Sequence, residues 1–72
     1  MSNDLPISID AETLGGTPVF RGTRVPVSTL FEYLEDNYSL DEFLDEFPSV
    51  TRAAAVTILT NAERFTLEHA RA

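Results

Sequence analysis

Residues 15–27 decide the fold of this chain, because most of its backbone-shaping residues lie there. They read Gly15-Gly16-Thr17-Pro18-Val19-Phe20-Arg21-Gly22-Thr23-Arg24-Val25-Pro26-Val27. All three glycines of the chain are in this run. Glycine adopts positive φ at little cost, whereas proline fixes φ and removes a backbone donor. Short β-prone runs lie on either side of Gly22. We therefore predict a small hairpin over residues 15–27 that turns near Gly22, with backbone positions set by Gly15, Gly16, Pro18, Gly22 and Pro26.

Three amphipathic helices are expected after the hairpin, over residues 28–70. The first is predicted at residues 28–36, capped by Ser28 or Thr29, because Thr29 and Glu32 have capping-box spacing. Asn37 and Tyr38 break the pattern. The helical stripes place most aromatic side chains in the core. These core aromatics are Phe31, Tyr33, Phe43, Phe47 and Phe65.

The next two helices have equally clear start signals. Ser39 and Glu42 form a second capping box, and Pro48 ends that helix. Thr51 is a cap for a long Ala-rich helix that runs from Arg52 to about residue 69. The short connection between these helices is typical of a helix-turn-helix.

The chain is therefore expected to form one domain over residues 1–72, with residues 1–8 frayed. The predicted fold class is mainly α, with a short N-terminal β-hairpin followed by a three-helix bundle of homeodomain-like or winged helix-turn-helix type. Phe20 and Tyr38 fall outside the helical stripes, and either can pack at a dimer interface or against a partner. A homodimer would enlarge the thin core of so short a chain, and the hairpin edges are one place to form it.

Charge restricts the partners of this domain. The formal net charge is −7, and all five basic residues are arginines. Affinity for nucleic acid depends on basic side chains that neutralise phosphates, so one copy alone should bind DNA weakly. An acidic surface favours a basic protein partner, although it also simply keeps a small protein soluble.

The segment from Gly15 to Val27 resembles the signature of the bacterial DUF433 family of antitoxin-like helix-turn-helix proteins. The resemblance continues through residues 39–48 into the helix after Thr51, and covers about residues 9–65. It implies a helix-turn-helix fold and the antitoxin half of a type II toxin–antitoxin pair. The toxin of such a pair often resembles PIN-domain ribonucleases.

Arg21 and Arg24 are the leading site candidates, with three roles open. They can bind the carboxylates that hold metal ions in a nuclease toxin, because a guanidinium pairs bidentately with such groups. They can contact DNA phosphates. They can also pair with acidic residues of the first helix and merely hold the hairpin in place. Those residues are Glu32, Glu35 and Asp36.

Thr51 and Arg52 are candidate DNA-contacting residues, because they open the helix that would enter the major groove. The alternative is a solvent-facing Arg52 on an Ala-rich helix. Autoregulatory binding to operator DNA is thus a secondary expectation, and a stand-alone transcriptional regulator or a protein-interaction adaptor that binds no DNA are the rival functions.

No catalytic residues, metal site or cofactor are expected. His69 is the one histidine, and no nucleophile and base set can be assembled around it. The acidic residues of the second helix suit its N-terminal dipole and the solubility of the chain better than metal binding. Without a catalytic set, we expect a non-enzymatic protein. Neither a membrane-spanning run nor a basic leader is present, so we expect it in the bacterial cytoplasm.

Overall fold

The computed structural model of the protein describes residues 5–12 and 14–70. Its elements follow the predicted order. They are β1 (Ile7–Ser8), a single 3-10 turn (Leu14–Gly16), β2 (Val19–Phe20), α1 (Val27–Glu35), α2 (Leu40–Glu46) and α3 (Arg52–Ala70). The predicted fold class, mainly α with a short β-hairpin and three helices, is confirmed. Of the residues expected to fray, residues 1–4 lie outside the described part, whereas residues 7 and 8 form β1.

β2 lies between two neighbouring segments. On one side it pairs antiparallel with β1, in the register Ile7 to Phe20 and Ser8 to Val19. On the other side the chain turns back on itself, since the Phe20 N–H donates to the Val25 carbonyl at 2.9 Å. The predicted turn is at Gly22, where φ is 79°. A Cβ at that position would meet nothing within 4 Å, so the backbone conformation and not space requires glycine.

The hairpin itself is shorter than predicted. It spans residues 18–27 and closes where the Val27 N–H donates to the Pro18 carbonyl at 3.0 Å. Gly15 and Gly16 also have positive φ, as expected, but they belong to the 3-10 turn before the hairpin.

α1 begins at Val27, one residue earlier than predicted. Its N-cap is Pro26, at ψ 140°, with no hydrogen bond from a capping side chain. The capping box predicted between Thr29 and Glu32 is therefore wrong. The physical reason is that the hairpin bond to Pro18 already satisfies the Val27 N–H, and the chain passes directly from hairpin to helix at Pro26.

α1 ends in a Schellman motif, which explains the break expected at Asn37. This residue has φ 73°, and its N–H donates to the Leu34 carbonyl at 3.1 Å. The Tyr38 N–H donates to the Tyr33 carbonyl at 2.9 Å. The motif folds Tyr38 back onto Tyr33, and their ring centroids lie 4.9 Å apart.

The caps of the other two helices are confirmed. Ser39 Oγ accepts from the Glu42 N–H at 3.1 Å, and Glu42 Oε1 accepts from the Ser39 N–H at 2.7 Å. At the start of α3, Thr51 Oγ1 accepts from the Ala54 N–H at 3.1 Å.

The core joins the hairpin to all three helices. Its buried members are Phe20, Leu30, Phe43, Val50, Ala55 and Ile58. Phe43 is fully buried, and its ring centroid lies 6.1 Å from Phe20, 5.6 Å from Tyr33 and 5.1 Å from Phe47. Aromatic rings from the hairpin, from α1 and from the residue that caps the end of α2 thus converge on one side chain.

Two aromatic side chains lie where the sequence did not place them. Phe20 is 1% exposed, so it is part of the core and is not available to a partner. Phe65 is 61% exposed, so its predicted core position is wrong. The reason is helix length: α3 has 19 residues against nine in α1 and seven in α2, and its residues 63–70 are all exposed. Periodicity indicates which face of a helix is apolar, but not where its packing partners end.

Within residues 5–12 and 14–70, none of the helices is both long enough and apolar enough to cross a membrane.

Candidate functional site

Arg21 is a structural residue of the hairpin. One of its guanidinium nitrogens donates to the Leu5 carbonyl at 2.7 Å and to the Ile7 carbonyl at 3.5 Å. Its backbone N–H donates to the Pro6 carbonyl at 2.9 Å. Arg21 therefore holds the N-terminal strand against β2. The acceptors are backbone carbonyls and not the α1 carboxylates that were one of its predicted partners.

Arg24 is placed differently, although it lies only three residues further on. It is exposed at the hairpin turn, and in the described part of the chain it makes no hydrogen bond or ion pair. Its backbone is held in place by its neighbour: Thr23 Oγ1 donates to the Phe20 carbonyl at 2.8 Å and accepts from the Val25 N–H at 3.0 Å. The structure therefore separates two arginines that the sequence treated alike, and Arg24 is the one free to meet a partner.

Thr51 and Arg52 are both engaged within the domain. The Thr51 hydroxyl caps α3, as described above. Arg52 forms an ion pair with Asp41 of α2, across the connection between the two helices. Both side chains are largely exposed, so this pair contributes at most about 1 kcal/mol and can exchange with other partners. The pair nevertheless places the Asp41 carboxylate beside Arg52, the basic side chain at the start of the helix that was predicted to enter the major groove.

The negative charge of the chain is concentrated on α1, α2 and the connection between them. Residues 27–46 hold seven carboxylates and no basic residue, so this segment has a formal charge of −7. The net charge of the whole chain has the same value. All seven acidic residues are exposed, and we call the exposed surface of these two helices and their connection the acidic face. Its carboxylates belong to Glu32, Glu35, Asp36, Asp41, Glu42, Asp45 and Glu46.

A groove lies within the acidic face, with Tyr33 and Tyr38 on one side and three carboxylates beside them. The carboxylates are those of Glu42, Asp45 and Glu46. Partial burial raises the pKa of the Tyr33 phenol above its ordinary value, and the charges of Glu46 and Tyr38 raise it further. Sequence reasoning missed this pair of rings. The available signal was Asn37, because a left-handed residue at a helix end places the side chain that follows it against the last turn.

A second groove is apolar and lies on another side of the domain. It is formed by Ile7 and Pro18 from the strand region, Val27 and Phe31 of α1, and Ile58 of α3, with Thr17 and Ser28. We call it the apolar groove. It has a volume of about 370 Å³ and no charged side chain in its lining.

No three His, Asp or Glu side chains in the described ranges are arranged so that they can hold a metal ion. The candidate site consists of three exposed features: the acidic face, its tyrosine groove and Arg24.

Comparison with known proteins places the chain in a family. The model of the family described as "Protein of unknown function (DUF433)" matches residues 7–62. The chain belongs to the DUF433 family. The crystal structure of a DUF433 member protein from Anabaena variabilis has the same fold, with a TM-score of 0.72 and 28% sequence identity. The match covers 90% of this chain and 64% of that one, so this chain spans less than two thirds of the length of its solved relative. No curated protein matches the chain significantly.

Proposed function

We propose that this DUF433 protein is the antitoxin of a bacterial type II toxin–antitoxin system, and that it binds and neutralises a PIN-like ribonuclease toxin in the cytoplasm. In this proposal it is a non-enzymatic binding protein. The observation that carries the proposal is the location of its charge: the acidic face holds seven carboxylates, and of these, among the described residues, Asp41 alone is paired with a basic side chain, that of Arg52.

An acidic face of this kind is suited to binding a ribonuclease. An enzyme that binds RNA must present basic side chains to neutralise phosphates. Carboxylates along two adjacent helices are negatively charged, as RNA phosphates are, so they can pair with the same basic side chains. The tyrosine groove adds a specific feature, because an arginine can stack on an aromatic ring while it pairs with a carboxylate. The acidic face would thus occupy the RNA-binding surface of the toxin.

Arg24 supplies the second contact. A metal-dependent nuclease holds its ions with carboxylates, and an arginine can pair with those carboxylates bidentately. Arg24 is exposed at a turn whose backbone is hydrogen-bonded on both sides, so it can reach into a concave site without disturbing the core. Arg21 was an equal candidate on sequence grounds, but its contacts with Leu5 and Ile7 favour a structural role.

The test is co-expression of the full chain with the product of the adjacent reading frame, which the proposal expects to be a ribonuclease, together with a direct binding measurement by calorimetry. We expect the wild-type chain to restore growth. The double variant Asp45→Asn, Glu46→Gln should bind at least about tenfold more weakly, because it removes two charges beside the tyrosine groove. Arg24→Ala should also weaken rescue.

The matched control is the double variant Glu63→Gln, Glu68→Gln. It removes the same charge from exposed positions on α3, outside the acidic face. Equal loss of binding in both double variants would show that only net charge matters, and would overturn the assignment of the surface. A neighbouring ribonuclease that is neither bound nor inhibited would overturn the proposal itself, and would favour the adaptor function.

DNA binding is the weaker alternative, whether autoregulatory or as the main function of a stand-alone regulator. The basic side chain at the start of α3, Arg52, is paired with Asp41, and the adjoining helix belongs to the acidic face. Phosphates approaching that end of α3 would meet carboxylates first. A mobility shift against the upstream region that persists at physiological salt would revive this alternative.

A further inference from the structure

Two tyrosine rings line the groove within the acidic face. Tyr38 is 50% exposed, and its ring centroid lies 4.9 Å from that of Tyr33. Tyr33 in turn meets Phe43 and Phe47 edge-on, at centroid distances of 5.6 and 5.5 Å. Because Phe43 is fully buried, this series of contacts attaches the exposed Tyr38 ring to the core. The groove therefore presents an aromatic surface that is ordered without a partner, which lowers the entropic cost of binding.

The carboxylates of the groove lie close together on α2. Asp45 and Glu46 follow Glu42 by three and four residues, so both lie next to it on the helix surface. Glu42 already accepts from the Ser39 N–H in the capping box. Within the described ranges, Asp45 and Glu46 take part in no hydrogen bond or ion pair of their side chains. Two negative groups beside the tyrosine rings are therefore available to a cation.

We propose that this groove is a selective site for arginine, and that it receives one arginine side chain of the toxin. The guanidinium stacks on the Tyr38 ring, and its edge donates to the carboxylates of Asp45 and Glu46. The inference rests on the proposed function for the identity of the partner, and it adds which residue type that partner must present. It also makes Tyr38, and not charge alone, the source of specificity on the acidic face.

Charge alone would not distinguish arginine from lysine. The three carboxylates of the groove are exposed, so salt screens their attraction for any cation. A lysine ammonium is a strongly hydrated point charge, whereas a guanidinium is planar and weakly hydrated. The guanidinium can lay its face on an aromatic ring while its edge pairs bidentately with a carboxylate. An aromatic ring beside carboxylates therefore favours arginine, whereas the rest of the acidic face accepts either residue.

Charge complementarity favours a basic protein as the occupant. An enzyme surface that binds RNA presents arginines, because a guanidinium pairs bidentately with a phosphate. Nucleic acid itself is repelled by the carboxylates of the groove. A second copy of this chain would bring its own net charge of −7 against the acidic face, so it is a poorer occupant than a basic partner.

The test compares two peptides that differ only in the type of basic residue, one with arginines and one with lysines, spaced by glycine. Each peptide is titrated into the full chain at about 150 mM salt, where general charge attraction is largely screened. NMR follows the ring signals of Tyr38 and the backbone amides of Asp45 and Glu46. We expect the arginine peptide to bind about three- to fivefold more tightly, as one cation–π contact at an exposed site would give. It alone should shift the Tyr38 ring signals strongly.

Three variants locate the source of the preference. Tyr38→Leu keeps an apolar side chain but removes the ring, so it should abolish the preference and leave the affinity for the lysine peptide unchanged. Tyr38→Phe keeps the ring and should keep the preference. Phe65→Leu is the matched control, because it removes an exposed ring on α3, outside the acidic face, and should also keep the preference. Circular dichroism should show all three variants folded, because neither position is in the buried core.

Equal affinity of the wild-type chain for the two peptides would overturn the proposal, as would no binding of either. A preference that survives Tyr38→Leu, or that is lost in Phe65→Leu, would overturn it too. These outcomes are separate from the test of the proposed function. A chain that neutralises the toxin without preferring the arginine peptide would keep that function and contradict this inference. A chain that prefers the arginine peptide but inhibits no ribonuclease would contradict the function and keep the selectivity of the groove.

Discussion

Replacing Arg21 with alanine should destabilise the domain, whereas the same replacement of Arg24 should not. The two arginines lie in one turn and carry the same charge, so they form a matched pair. Only Arg21 donates to backbone carbonyls of the N-terminal strand, at 2.7 and 3.5 Å. Alanine at position 21 removes both side-chain contacts, and leaves β1 held by backbone hydrogen bonds and by the packing of Ile7 against the core.

The magnitude follows from the exposure of the side chain. A hydrogen bond from a charged donor contributes about 1.5–3 kcal/mol when it is shielded from water. Arg21 is exposed, so we expect a value below this range, about 1 kcal/mol, for Arg21→Ala and less than about 0.3 kcal/mol for Arg24→Ala. In a domain of 72 residues, 1 kcal/mol lowers Tm by roughly 4–8 °C.

Urea unfolding followed by circular dichroism measures the free energy of unfolding, and amide hydrogen exchange locates the change. The Arg21 N–H, bonded to the Pro6 carbonyl, should lose protection in Arg21→Ala. The Phe20 N–H, bonded to Val25 within the hairpin, should lose protection only to the extent that global stability falls.

Equal stability of the two variants would refute the role assigned to Arg21, as would greater destabilisation by Arg24→Ala. The result also determines how a loss of toxin neutralisation is interpreted. In Arg21→Ala such a loss would reflect folding of the hairpin, whereas in a stable Arg24→Ala it would report on a contact with the toxin.

Three other changes test the core, a helix end and a titrating group. Phe43→Ala should cost about 3–5 kcal/mol, because it leaves a cavity among three aromatic rings, and urea unfolding should show most of the stability lost. Asn37→Ala should cost about 1 kcal/mol, since alanine is strained at φ 73°, whereas Asn37→Gly should keep the wild-type unfolding midpoint. Because the pKa of the Tyr33 phenol is raised in the folded state, the unfolded chain releases this proton first, and the free energy of unfolding should fall as pH rises above about 10. In Tyr33→Phe, the urea unfolding midpoint should therefore fall less between about pH 9 and 11 than in the wild type. An identical fall in both proteins would contradict the raised pKa of Tyr33.

Local signals in the sequence predicted the elements well, because their causes are local. The Ser39 capping box and the Thr51 cap are formed by residues three apart, and Gly22 turns the hairpin by its own backbone freedom. The error at the start of α1 had a non-local cause. Thr29 has the right spacing for a cap, but a hydrogen bond to Pro18, nine residues before Val27, had already set where the helix begins.

The candidate site was predicted less well, because it depends on which elements pack together. The sequence identified Arg21 and Arg24 as a pair, but the position of the N-terminal strand decides which of them is engaged. From helical spacing, the sequence also placed Phe65 in the core. It left Phe20 outside the core, as a residue that can pack at a dimer interface or against a partner. The exposure of these two rings depends on the lengths and positions of neighbouring helices, which no local pattern contains.

By itself, the sequence determined three helices, the caps of the second and third, a hairpin turning at Gly22 and a strongly acidic domain, because propensity, capping and charge act over a few residues. The tertiary structure alone decided which arginine is free, that Tyr38 lies on Tyr33 beside the carboxylates, and that α3 extends past its partners to expose Phe65. Each of these depends on burial against residues distant in sequence, and burial is a property of the packed chain.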